Sequence, residues 1–254
     1  MKWYNKLLIG TIAMIVGYIN AVIIVPNQNN KYVKVYIERN LETIIKSQEE
    51  RLGIRHFGKP KIKYGYSKET IIVTKAGDIR EEVRQTLAVR YHQDEDTIYI
   101  PNITAALSLT PEKSLINTAT WLLFLGDGIE TKEYLYHELG HFYADKLSES
   151  IGNGNWPKEH HLNIRLINEG IATYFQNTMN TKKNSFEDLD SIKIFDDDDI
   201  FKIYHVGYLL VKPVIDKHGK EGIKYLITHP PTEIELKHLQ AYQNRVLEAL
   251  EKLR

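Results

Sequence analysis

Two histidines four residues apart are the feature of this sequence that most directly indicates chemistry. Residues 134–145 read Tyr-Leu-Tyr-His-Glu-Leu-Gly-His-Phe-Tyr-Ala-Asp. On a helix, His137 and His141 lie one turn apart on the same face, so their neutral imidazoles can bind one divalent ion. Glu138 lies roughly 100° around the helix, where it is poorly aimed for a ligand but can reach a water molecule on that ion. This H-E-x-x-H pattern predicts one zinc ion per chain, with Glu138 as general base.

A third protein ligand is expected, because zinc that performs catalysis usually has three and keeps a fourth position for water. A histidine six residues beyond His141 would complete a metzincin pattern, but that position is Leu147. Glu169 lies 28 positions beyond His141, and a second helix packed on the first could offer its carboxylate to the same ion. His160 and His161 are alternatives, although the loop expected there would hold a ligand less rigidly.

Two further motifs give the chain a resemblance to a known family. The H-E-x-x-H motif is followed by Asn168-Glu169-Gly170-x-Ala172 and then by Tyr204-His205-Val206-Gly207. Over roughly residues 95–228, this order resembles the gluzincin zinc metallopeptidases, and most of all the catalytic domains of the aminopeptidase N-like, peptidase MA-like group. The resemblance implies a zincin-like domain that hydrolyses peptide bonds. It also implies that Tyr204 donates a hydrogen bond to the oxyanion, with Tyr208 and His205 as alternatives.

The expected chemistry is metal-dependent hydrolysis of a peptide or protein. Zinc lowers the pKa of a bound water to about 7, and Glu138 would take its proton and deliver it to the leaving amine. The chain lacks the Gly-x-Met-Glu-Asn motif with which the aminopeptidases hold a free amine. Extended peptides paired with an edge strand near Ile98–Asn102 are therefore the expected substrates. The alternative is a non-catalytic zinc-binding interaction domain, which the presence of Glu138 disfavours.

Composition narrows the class of partner and of metal site. The 33 basic and 33 acidic residues give zero net charge, which argues against nucleic acid as the main partner. The sequence has no cysteine, so disulfides and thiolate ligands are excluded and any tight metal site must use histidine and carboxylate.

An uncharged run at the amino terminus predicts a membrane segment. Residues 7–25 contain no charged side chain and would span roughly 28 Å as a helix, close to the hydrocarbon thickness of a bilayer. Lys2 and Lys6 precede the run, so the positive-inside rule predicts a single-pass protein of the cell membrane with a cytoplasmic N-terminus and an extracytoplasmic body. A cleaved signal peptide, and hence secretion, is the alternative.

The periodicity of the remaining chain predicts an α+β protein. Residues 1–29 are interpreted as a cytoplasmic stub, an anchor helix and a polar linker at Pro26–Asn30, and residues 30–254 as the peptidase domain. Within that domain, a helix ending at Gly53 precedes a small mixed β-sheet at about 55–105, which includes a hairpin at about 87–100. An active-site helix and a mostly helical part are expected over about 110–254.

Local signals place the later helices. A helix over about 163–177 should carry Glu169, and the small residues Gly170 and Ala172 would let it pack closely on the helix of His137. Another helix over about 200–217 should end near Gly219 and be kinked by Pro213. Thr232 and Glu235 have capping-box spacing ahead of a final amphipathic helix.

Overall fold

The computed structural model describes residues 25–53, 57–65, 89–100, 128–153, 156, 161–179, 189 and 200–253. Over these ranges the protein is rich in α-helix, with five helices and one three-stranded sheet. The prediction of an α+β protein agrees with this composition of elements.

Helix α1 runs over Val25–Leu52 and ends where predicted, because Gly53 takes a left-handed φ of 64° that stops a helix. Pro26–Asn30 was expected as a turn-rich linker, and this expectation is wrong because the segment lies inside α1. Proline is tolerated in the first turn of a helix, where its missing N–H has no acceptor to lose.

The expected membrane anchor over residues 7–25 lies outside the described residues except for Val25. Across the described ranges, none of the helices combines the length and the apolar character needed to cross a bilayer.

The sheet contains β1 (Lys61–Tyr64), β2 (Arg90–His92) and β3 (Thr97–Ile100) in the order β1-β3-β2. A short 3-10 turn over Gln93–Glu95 joins β2 to β3, so the predicted hairpin is confirmed. β1 runs parallel to β3, because the N–H of Lys61 donates to Asp96 and that of Gly65 donates to Ile100, each at 2.8 Å. The sheet is therefore mixed.

The predicted role of β3 as an edge strand is wrong. β3 pairs with a strand on each side, and all four of its residues are buried. Its backbone groups are already used within the sheet, so an extended peptide cannot add to it at Ile98–Ile100.

Helix α2 covers Gly128–Ser150 and carries the H-E-x-x-H motif. It ends before Gly152, whose φ of 77° again favours glycine. Helix α3 covers Leu162–Met179 and carries Glu169, which confirms the predicted helix. The spacing of Asp127 and Glu130 predicts a capping box at the start of α2, but Asp127 lies outside the described residues.

Helix α4 covers Ile200–Thr228 and is interrupted where the sequence predicted an end. Gly219 has φ 56° and ψ −131°, which separates two helical segments, and the second continues to Thr228. Pro213 itself keeps helical dihedrals. Gln243 compensates for it, because its side-chain amide donates to the carbonyls of Leu209 at 3.0 Å and Leu210 at 2.7 Å. Proline at 213 provides no N–H for the carbonyl of Leu209, four residues earlier, so Gln243 replaces the missing donor.

The capping box forms, but on a different element from the one predicted. Thr232 and Glu235 exchange hydrogen bonds of 3.0 and 3.3 Å at a 3-10 turn over Glu235–Lys237. The final helix α5 begins only at Leu239 and runs to Lys252, with His238 at its N-cap. The predicted amphipathic helix is confirmed, because its apolar face buries Leu239, Val246 and Leu250; Leu236, predicted on the same face, lies half-buried in the preceding turn.

The chain divides into two compact units. The first contains the described residues of 25–41, 62–92 and 98–132, and its buried side chains include Ile37, Leu41, Val89, Ile98, Tyr99 and Ile100. The second contains 42–61, 93–97 and 133–254, and it holds the whole candidate site. Its core brings together fully buried side chains of α2, α3 and α4: Leu135, Leu139, Phe142, Tyr143, Leu166, Ile167, Ile171, Phe175, Val206 and Leu210.

Candidate metal centre

Helix α2 presents the two histidines in the geometry that their spacing predicts. The rings of His137 and His141 meet edge to face, with centroids 4.8 Å apart. His137 is 4% exposed and Glu138 is 9% exposed, while the flanking Leu135 and Leu139 are buried. The polar groups thus lie in apolar surroundings, where electrostatic interactions are stronger than in water.

Helix α3 brings Glu169 to both histidines. One oxygen of this carboxylate, Oε2, lies 3.1 Å from Nε2 of His137 and 3.4 Å from Nε2 of His141. Three side chains from two helices therefore point ligand atoms at one another.

These distances fit a divalent ion. Zinc bonds of about 2.0–2.1 Å at tetrahedral angles place neighbouring ligand atoms roughly 3.3 Å apart. The separations of 3.1 and 3.4 Å between Glu169 and the two histidines are close to that value. Two imidazoles and a carboxylate are also a common ligand set for catalytic zinc.

Two carboxylates are close enough to be the third ligand. His137, Glu138 and His141 form a group that could hold a metal ion, with one ligand atom from each lying within 4.8 Å of the others. Glu169 is the better ligand, because a single oxygen approaches both imidazoles to 3.4 Å or less. Glu138 is then left beside the centre, as a general base requires.

Asn168 orients the second histidine. Its Oδ1 lies 3.1 Å from Nδ1 of His141. An amide oxygen only accepts hydrogen bonds, so Nδ1 of His141 carries a proton and donates it to Asn168, which leaves Nε2 facing Glu169. This is the arrangement in which an outer partner fixes the tautomer of a metal-binding histidine.

The cluster attracts positive charge strongly. Burial alone would lower the pKa of His141, but the Glu169 carboxylate outweighs it and raises that pKa to about 9. Burial alone would raise the pKa of Glu169, but its interactions with His141 and His137 hold it well below the usual range for a carboxyl group. An unprotonated Nε2 facing a carboxylate oxygen repels it unless a cation lies between them. Either a proton or a metal ion meets that requirement.

Tyr204 of α4 reaches the same centre. Its ring centroid lies 5.1 Å from that of His137, with the planes tilted by 54°. Tyr208, one turn further along α4, is 7% exposed and buried in the packing of the helix. This ring contact places Tyr204 beside the group of His137, His141 and Glu169.

Close helix crossings hold these side chains in place. A Cβ atom at Gly140 of α2 would lie 2.6 Å from Cα of Ala172 on α3, so only glycine allows this approach. A Cβ at Gly170 would lie 2.4 Å from the carbonyl oxygen of Gly207 on α4. The expected close packing on the helix of His137 is therefore confirmed at Ala172, whereas Gly170 packs against α4 instead.

Of the alternative ligands, His160 lies outside the described residues and His161 lies exposed just before α3. Sequence reasoning missed the roles of Asn168, Gly140 and Gly207. Asn168 was visible only as the residue preceding Glu169.

Comparison with known proteins adds no assignment: the chain matches no protein-family model, no curated protein and no solved structure.

Proposed function

We propose that this protein is a membrane-anchored, zinc-dependent peptidase. The observation that carries the proposal is the shared position of Glu169 Oε2, at 3.1 and 3.4 Å from the two histidines, with Glu138 beside them. A purely structural metal site needs only ligands. This centre also has a second carboxylate, that of Glu138, and the ring of Tyr204 lies against His137.

His137, His141 and Glu169 would hold the ion. Zinc is proposed because two imidazoles with one carboxylate form a set of borderline softness that suits it. When bound, zinc acts as a Lewis acid toward the substrate carbonyl and makes water acidic enough to react near neutral pH.

The remaining side chains move and stabilise charge. Glu138 takes a proton from the attacking water and delivers it to the leaving nitrogen of the cleaved bond. The hydroxyl of Tyr204 donates a hydrogen bond to the oxyanion that forms from the carbonyl, and the buried surroundings strengthen that interaction.

A digest of mixed peptides tests the activity. The full chain, purified in detergent, is incubated with the peptides before chelation, after chelation and after zinc is restored. We expect cleavage that chelation removes and zinc restores, and a loss of about 10²–10⁴-fold in Glu138→Gln, which keeps the ligands but removes the base.

Metal analysis is the companion measurement. We expect one zinc per chain in the wild type and in Glu138→Gln, and none in the His137→Ala, His141→Ala double variant. Stoichiometric zinc without any cleavage would instead support the non-catalytic interaction domain, and zinc retained by the double variant would refute the site itself.

The membrane part of the proposal depends on the uncharged run at residues 7–25, preceded by Lys2 and Lys6. We infer one membrane span, with the N-terminus in the cytoplasm and the peptidase outside. Protease added to intact cells should digest the body of the protein. A protected protein that high salt releases from membranes would contradict this topology, and a mature chain lacking residues 1–25 would indicate secretion.

A further inference from the structure

Two glycines face each other where α3 crosses α4. Gly170 directly follows Glu169, and Gly207 lies three residues after Tyr204. A Cβ at Gly170 would lie 2.4 Å from the carbonyl oxygen of Gly207, and a Cβ at Gly207 would lie 2.5 Å from that of Leu166. Both obstacles are backbone atoms, which cannot rotate away, so the two helices meet backbone to backbone at this point.

The crossing lies between two parts of the candidate site. Gly170 is next to the carboxylate that meets both histidines, while Tyr204 and Gly207 occupy one face of α4 at three-residue spacing. The Tyr204 ring lies 5.1 Å from the ring of His137. The closeness of the two helix backbones therefore determines how far Tyr204 stands from the metal ligands.

We propose that Gly170 and Gly207 are positioning residues that hold Tyr204 at reacting distance from the metal centre. The inference depends on the proposed function, because it assigns a purpose to the place of Tyr204. The glycines themselves touch neither metal nor substrate and act through the spacing of α3 and α4.

A separate crossing holds the ligands together. Gly140 of α2 meets Ala172 of α3, where a Cβ would lie 2.6 Å from Cα of Ala172. Because His137, His141 and Glu169 belong to α2 and α3, this contact fixes their geometry without α4. A methyl group at Gly207 should thus displace Tyr204 while leaving the three ligands in place.

The size of the displacement sets the expected effect. Ordinary van der Waals contact of a Cβ atom begins at 3.4 Å, so a methyl group placed at 2.4–2.5 Å must push α4 outward by roughly 1 Å. Misplacement of a reacting group by about 1 Å can lower turnover about 100-fold.

The test compares Gly207→Ala with Gly222→Ala in the full chain. Gly222 is the matched control, because it also lies in α4 and its Cβ would meet the carbonyl oxygen of Val214 at 2.8 Å, but it lies beyond the interruption at Gly219. Tyrosines are labelled as 3-fluorotyrosine, the Tyr204 signal is assigned with Tyr204→Phe, and Co²⁺ serves as the probe metal. Paramagnetic broadening of the fluorine signal falls with the sixth power of distance, so it reports the position of Tyr204 without any need for activity.

We expect Gly207→Ala to bind Co²⁺ as the wild type does, to show clearly weaker broadening at Tyr204, and to lose about 100-fold in kcat with little change in KM. Gly222→Ala should keep both signals. In a Tyr204→Phe background, Gly207→Ala should cause no further loss of kcat.

Unchanged broadening of the Tyr204 signal in Gly207→Ala would overturn the proposal. It would also be overturned if the loss of kcat in the Tyr204→Phe, Gly207→Ala double variant equalled the product of the losses in the two single variants. Failure of both Gly207→Ala and Gly170→Ala to fold would assign the glycines to the fold alone and overturn it too. If the wild type binds Co²⁺ but cleaves no peptide, the proposed function fails while the broadening still decides the positioning role. If the wild type binds no Co²⁺, both the proposed function and the positioning role are refuted.

Discussion

Glu169 is the side chain on which the proposed metal centre depends most, because one of its oxygens lies close to both imidazoles. Its negative charge raises the pKa of His141 to about 9 against the opposing effect of burial. Protons and metal ions therefore compete for the same place between these groups. The result is a buried site that attracts cations and is lined by borderline ligands.

Asn168 provides a test of this centre that does not remove a ligand. Asn168→Leu keeps the approximate size of the side chain but removes the acceptor for Nδ1 of His141 at 3.1 Å. The ring is then free to turn or to change tautomer, and we expect metal affinity to fall about 10–100-fold. Competition between the protein and a coloured chelator for Co²⁺ measures it. Asn163→Leu, at the start of the same helix, is the control, and equal affinities in both variants would exclude an orienting role for Asn168.

At this scale, helical spacing identified His137, Glu138 and His141, while Glu169 was predicted as the third ligand with His160 and His161 as alternatives; the structure brings Glu169 to both histidines. The H-E-x-x-H pattern depends only on helical periodicity, and a helix preserves it in any fold. The contact of Asn168 with His141 was not predictable, because it depends on how α3 is rotated against α2. No pattern within one helix contains that angle.

Among the elements, α4 contains two helix-breaking residues, Gly219 and Pro213, and only Gly219 interrupts its helical dihedrals. The predicted end at Gly219 is confirmed as an interruption, after which a second helical segment continues to Thr228, whereas Pro213, which indicated a kink, keeps helical dihedrals. Gln243 of α5 donates to the two carbonyls near the proline, so a distant residue compensates for the local defect. Pro26 was wrongly interpreted as part of a linker, because a proline in the first turn of a helix loses no hydrogen bond and is compatible with the helix.

Replacing the buried amide tests this compensation. Gln243→Met should lower the free energy of unfolding by about 1–3 kcal/mol, because it leaves the Leu209 carbonyl buried without a donor. Pro213→Ala restores the N–H that a helix normally offers to that carbonyl. In the Pro213→Ala background, Gln243→Met should therefore have a smaller effect, and urea unfolding of the four proteins measures the coupling. If the two substitutions change the free energy of unfolding by strictly additive amounts, Gln243 stabilises α5 for a reason unrelated to Pro213.

The turn before α5 should make stability depend on pH. Burial opposes ionisation of Glu235, but hydrogen bonds from Thr232 and Arg245 lower the pKa of its carboxyl group below the ordinary 4.5. A lowered pKa stabilises the fold above the unfolded-state pKa, and this contribution is lost as the pH falls through the folded-state pKa.

We therefore expect Glu235→Gln to be less stable than the wild type near neutral pH, with a difference that shrinks as the pH falls below about 4. Urea unfolding of the full chain at several pH values measures it. Thr232→Ala should lose about 0.5–2 kcal/mol through the broken cap. A difference between wild type and Glu235→Gln that grows in acid would contradict the assignment.

At the scale of the whole molecule, the pairing of strands that are distant in the sequence could not be predicted. The hairpin of β2 and β3 was predictable because its strands are neighbours along the chain. The parallel pairing of β1 with β3 joins strands about thirty residues apart and has no local signature, so β3 was wrongly placed at an edge. A substrate strand can add only to a strand with a free side, and β3 has none.

The last prediction concerns the end of the substrate. Aminopeptidases need an acidic group to hold the free amine of a peptide, and the chain lacks the Gly-x-Met-Glu-Asn motif that provides it in the family it resembles. The two carboxylates at the centre have other assignments, since Glu169 meets both histidines and Glu138 is the proposed base.

We therefore expect a peptide and its N-acetylated copy to be cut at the same internal bond and at similar rates, as mass spectrometry of the products over time would show. A peptide amidated at its C-terminus is the control for the other end. Removal of single residues from the free amine, abolished by acetylation, would make the protein an aminopeptidase and would leave the metal centre as proposed.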